Sequence, residues 1–206
     1  MLKVNPQKVE GNEDTRFYNK MDDTSPLKDI LYHRIDGITE DKIHQYIAQN
    51  NFSELIQKIF YDNFTNVKRL GSDYDENIIL LSESLTHYLL TEMLIPSQRK
   101  ITIKNIDVDI VIPNSKELEN NSGNSIILYF AKTNKTEIIN NKLNELKKIQ
   151  PNNQNIWVIG KNDLPIPNRI YSIIKNEKSF ENLFTDLKNL VIEKKYNKLN
   201  IFKTKT

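Results

Sequence analysis

The sequence predicts an α/β protein: a mixed central sheet built in the order helix, strand, strand, strand, helix, strand, preceded by a small helical unit. Three observations carry this expectation. Residues 99–112 alternate apolar and polar side chains about a two-residue turn, residues 126–131 are almost continuously apolar, and an amphipathic stretch at 136–149 leads into a second apolar run at 156–159. A hairpin makes its strands antiparallel, whereas a helical crossover within one sheet makes them parallel, so the sheet must be mixed.

Residues 1–25 combine Asn, Lys, Asp and Glu with few apolar side chains and are expected to be disordered, because they cannot bury enough surface to offset chain entropy. Pro26 behind Ser25 starts a helix carrying Leu27, Ile30 and Leu31. A second helix follows Thr39 with Ile43, Tyr46 and Ile47 on one face, and a third follows Asn51 or Ser53 with Leu55, Ile56, Ile59 and Phe60. Together they form the expected helical N-terminal unit, 26–70. The α/β domain is expected over 71–196, and a basic tail over 197–206.

Within that domain Ser72, with Asp75 three residues on, has the form of a capping box, and the acids at 73, 75 and 76 suit a helix N-terminus. The helix carries Ile78, Leu81, Leu85, Tyr88 and Leu89 as a core stripe and is stopped by Pro96. Then come Ile101 and Ile103, a Lys104-Asn105 turn, and a return strand on which Ile106, Val108, Ile110 and Ile112 are expected to share one face. The segment 114–124 is polar and read as a loop. The run at 126–131 suits a central strand covered on both faces. Ile138, Ile139, Leu143, Leu146 and Ile149 make the crossover helix amphipathic, a short strand is expected over 169–174, and a last helix over 179–194.

Composition narrows the function. There are no cysteines, which excludes a disulfide framework, a Cys-ligated zinc site and a thiol nucleophile. The net charge of +2 gives a weak overall field, so attraction to nucleic acid must come from local clusters of Lys. No apolar run approaches the roughly 18 residues of a membrane span, and the first residues lack a signal-peptide core, so an intracellular location without membrane association is expected. No phosphate-binding glycine loop, dinucleotide fingerprint or G-x-S-x-G elbow occurs. His33, His44 and His87 are too far apart in sequence to form a local metal motif.

One constellation could carry chemistry. Strand alternation puts Asp107 and Asp109 on one face, and Lys132 ends the next strand. A carboxylate can hold Mg²⁺ through oxygen, the metal polarises a phosphate and acidifies a water, and a nearby ammonium orients that water. The plain alternative is an exposed acidic strand face and a solvated Lys.

The element order over about 72–160, with Asp109 in Val-Asp-Ile-Val-Ile-Pro and Lys132 in Leu-Tyr-Phe-Ala-Lys, resembles the PD-(D/E)xK, or restriction endonuclease-like, nuclease superfamily. The resemblance implies a Mg²⁺- or Mn²⁺-dependent endonuclease, and the expected substrate is DNA or structured RNA, with DNA preferred. It makes Asp109 a metal ligand, Lys132 a catalytic residue, and Glu83 on the first helix a further acid. It also requires an acid two residues before Lys132, where Phe130 stands. Some members of the superfamily move that acid to the following helix, where Glu137 and Glu145 are available. At 1.5 Å rise per residue, Glu145 lies about 16 Å along the helix and Glu137 within its first turn, which favours Glu137. Its helix N-terminal position also explains Glu137 without a metal.

Lys135 and Lys142, with Lys194 and Lys195 near the C-terminus, are the expected nucleic-acid contacts. Two further possibilities stay open: a nuclease-like fold that binds without cleaving, which Phe130 favours, and a protein partner docked on the N-terminal helices.

Overall fold

A computed structural model describes residues 26–71, 73–174 and 179–203, with side chains as far as residue 191. The disorder expected for 1–25 lies outside the described residues.

Helices α1 (Pro26–Asp36), α2 (Glu40–Ala48) and α3 (Phe52–Ile59) form where their apolar spacing places them. Asn51 caps α3 by accepting from the Glu54 N–H. A short α4 (Phe64–Lys68) was not foreseen. Helix α5 (Tyr74–Glu92) has Asp73 at its N-cap, while Ser72, the expected cap, lies outside the described residues. The sheet then follows: β1 (Gln98–Ile103), β2 (Ile106–Ile112), α6 (Ser115–Asn120), β3 (Ile126–Phe130), α7 (Thr136–Leu146), β4 (Ile156–Gly160), β5 (Arg169–Ser172) and α8 (Phe180–Lys203). The segment read as a polar loop thus contains α6, capped by Asn114 through the Glu117 N–H at 2.9 Å. Helix α8 continues through Lys203, so the boundary expected at 196 falls inside it.

The five strands lie in the order β1-β2-β3-β4-β5. The pairs β1/β2 and β2/β3 are antiparallel, whereas β3/β4 and β4/β5 are parallel. The molecule is therefore a mixed α/β fold on a five-stranded mixed sheet. Lys104 and Asn105 both have positive φ, which makes the β1/β2 connection the tight two-residue turn expected for this hairpin.

Each face of the sheet has its own core. One collects Ile110, Ile112, Leu128, Phe130, Trp157 and Ile159 against α1 to α5 and α8. The other collects Ile106, Val108, Val111, Ile127, Tyr129 and Val158 against Leu118 of α6 and Ile139, Leu143 and Leu146 of α7. This corrects the expectation for β2: Ile106 and Val108 face one core, Ile110 and Ile112 the other. The switch falls where Lys100, with φ of 49°, stands opposite Asp109, a position skipped in the β1/β2 ladder. A lysine in the left-handed region turns the ribbon there, so simple alternation fails across it.

Candidate active site

The β2/β3 ladder ends at Ile110 and Leu128, although β2 extends back to Ile106 and β3 forward to Phe130. The strands part at Asp109, whose Oδ2 accepts the Phe130 N–H at 2.8 Å. The side chain thus replaces the backbone partner that the fork removes. Asp107, expected on the same face, is exposed and accepts the Thr102 hydroxyl at 2.7 Å instead.

Burial pushes the Asp109 carboxyl up from its ordinary 3.8 to about 6. The Phe130 N–H opposes the rise, Glu83 reinforces it, and Lys132 and Lys142 draw the value back down. The fold thus brings Glu83 and Lys132 within electrostatic reach of Asp109. Tyr129 is pushed to about 12, first by burial and then by Asp109 and Glu145.

The other expected site residues are placed as follows. Glu83 is 1% exposed in α5 and forms a buried ion pair with Arg99 of β1, Oε1 to Nε at 2.6 Å. Arg99 also donates from Nη2 to Ser84 Oγ at 3.1 Å. Glu137 is exposed in the first turn of α7. Farther along that helix, Lys142 acts on Asp109 and Glu145 on Tyr129, because α7 packs back across the strands rather than away from them. Lys142 pairs with Glu145 at 3.4 Å. The side chains of Lys194 and Lys195 lie outside the described residues.

A cleft of about 410 Å³ opens beside this fork, lined by Asp75, Ile79, Lys132, Thr133, Lys135 and Lys161 among others. Residues 131–135 follow β3 and Lys161 follows β4, so the cleft lies at the C-terminal ends of two parallel strands. Crevices at that end of an α/β sheet are where ligands characteristically bind. Asp75 belongs to the first turn of α5, and Lys161 Nζ lies 2.6 Å from its Oδ1. Lys132, Lys135 and Lys161 against Asp75 leave a net excess of positive charge, reinforced by the helix N-terminus. Asp109 is not part of the lining; Lys132 connects the two places.

Lys161 and Arg99 were missed from sequence. Lys161 had a signal, since the apolar runs that form β3 and β4 are each followed within two residues by a lysine, at 132 and at 161. Arg99 had none, because its partner lies in another element.

The carboxylates at the fork are already partnered within the fold. Phe130 offers no ligand, Glu83 is committed to Arg99, and Asp109 already gives one oxygen to the backbone. Among the described residues, three ligands able to share an ion converge elsewhere, at Glu40, His44 and Glu92.

Compared with family models, curated proteins and solved structures, the chain matches none of them.

Proposed function

We propose that the α/β domain is a restriction endonuclease-like module that holds nucleic acid, DNA in preference to RNA, by its phosphates without cleaving it. The observation that carries this reading is the Lys132, Lys135 and Lys161 cleft at the ends of β3 and β4. Lysines act on phosphate as point charges, releasing counterions and giving affinity without sequence preference. The element order and strand directions support the fold assignment. The Glu83–Arg99 pair and Phe130 speak for binding over hydrolysis, because they remove the acids that a metal would need.

The test is fluorescence anisotropy with labelled duplex and single-stranded DNA and RNA over a range of salt. Changing Lys132 and Lys161 together to Ala is expected to weaken binding roughly tenfold and to lower the salt slope by about 2. Lys161 is partly exposed, so losing its pair with Asp75 costs little stability. Unchanged affinity and slope would remove the cleft from the proposal. The same substrates incubated with Mg²⁺ or Mn²⁺ are expected to stay intact. Cleavage abolished by Asp109→Asn would replace binding by hydrolysis.

A further inference from the structure

The Glu40, His44 and Glu92 cluster is independent of the cleft. Glu40 and His44 are four residues apart on α2, so their side chains leave the same face one turn apart. Glu92 comes from the last turn of α5, 48 residues further along the chain than His44. The His44 Nε2 lies 2.8 Å from Glu92 Oε2, and one ligand atom from each of the three residues falls within 4.8 Å of the others.

Three considerations point to a metal ion. Geometry comes first: ligands about 2.0–2.2 Å from a tetrahedral ion stand roughly 3.3 Å apart. The cluster reaches that spacing by small rotamer changes, and His44 at 47% side-chain exposure has room to make them. Charge is the second. Glu92 sits at the negative end of α5, whose last turn contains no basic residue, so a carboxylate there is unfavourable and a cation is favoured. Lys42, the lysine nearest in sequence, is engaged with Gln45 at 3.0 Å and with the Tyr46 ring. Ligand type is the third. One imidazole nitrogen with two carboxylates suits Zn²⁺ and its first-row neighbours, whereas Mg²⁺ prefers an all-oxygen octahedron.

We propose that Glu40, His44 and Glu92 bind one Zn²⁺, with a fourth position open to solvent, and that the ion fastens α2 to the end of α5. A site joining two elements stabilises the folded chain by its binding free energy, because the ligands do not converge when it is unfolded.

The experiment uses the full chain stripped of metal by a chelator and titrated with Zn²⁺ and, separately, with Mg²⁺ in a calorimeter. One equivalent of Zn²⁺ is expected to bind, with Mg²⁺ at least about tenfold weaker. His44→Ala and Glu40→Gln should each weaken Zn²⁺ binding by about tenfold or more, while His33→Ala and Asp109→Asn leave it unchanged. Zn²⁺ should raise Tm in the parent chain and not in His44→Ala. Both variants change exposed side chains, so folding is retained. Co²⁺ in place of Zn²⁺ should give the intense visible absorption of a four-coordinate ion. Absence of saturable Zn²⁺ binding, or binding that survives both His44→Ala and Glu40→Gln, overturns the proposal.

Discussion

Leu94 has φ of 55° and is 88% exposed, at the point where α5 ends. The Leu94 N–H donates to Thr91 O, and the Ile95 N–H to Leu90 O, both at 2.9 Å, closing the helix by a Schellman motif. That motif normally places glycine where Leu94 stands, since an L side chain in the left-handed region costs about 1–2 kcal/mol. Glycine would forfeit about 0.5–1 kcal/mol through the freedom it adds to the unfolded chain. Leu94→Gly is therefore expected to stabilise the protein by roughly 0.5–1 kcal/mol, seen as a higher urea midpoint with an unchanged slope; a lower midpoint would contradict it. Single residues were legible in sequence when their own strand or helix defined them. Lys132 stood out at a strand end and Glu83 as a polar residue in an apolar helix, whereas the alternation that set Asp109 beside Asp107 on one face does not hold across the fork. What each touches was not legible, because Arg99 lies 16 residues from Glu83, and Glu92 48 residues from His44. Proximity of that kind is set by packing between elements.

Most strands and helices were legible because each has the period of its own geometry. The exception within a correctly placed element is β2, whose core-facing side changes at Asp109. That change depends on the positive φ of Lys100 on the neighbouring strand, which lysine as a residue type does not announce. The fork it creates buries a carboxyl, and the consequence is measurable. Between the ordinary 3.8 and the folded value of about 6, the folded chain keeps a proton that the unfolded chain has released. Stability therefore falls as pH rises from about 4 to about 6, and at neutral pH the ionised Asp109 costs on the order of 2–3 kcal/mol. An asparagine there can still accept the Phe130 N–H while carrying no charge. Asp109→Asn is expected to be more stable than the parent by about 1–3 kcal/mol at pH 7, with the gain shrinking towards pH 4. Chemical denaturation at the two pH values measures it, and the same pH dependence in both proteins would show that Asp109 is not desolvated.

At the scale of the whole molecule, the N-terminal helices belong to the same core as the sheet. Their amphipathic patterns gave the helices correctly, but a pattern does not state which apolar surface a stripe will meet. Phe52 of α3 stacks on Phe184 of α8 with ring centroids 5.7 Å apart, and Phe60 meets Phe180 at 5.2 Å. Leu31, Ile43, Leu55 and Ile59 join them in the core that covers Phe130 and Trp157. A partner docking on α1 to α3 would therefore meet their polar sides. A chain beginning at residue 71 would uncover Phe180, Phe184 and Leu187, each worth about 1.5–3 kcal/mol when buried. That loss is comparable with the roughly 5–15 kcal/mol that holds a domain together. The truncated chain is accordingly expected to melt without a cooperative transition in circular dichroism, while the full chain melts in one step. The detached segment 26–70 should show little helix, since α1, α2 and α3 have 11, 9 and 8 residues and isolated helices of that length are marginal in water. A cooperative transition in the truncated chain would instead make the α/β part an independent domain, with the N-terminal helices a separable attachment.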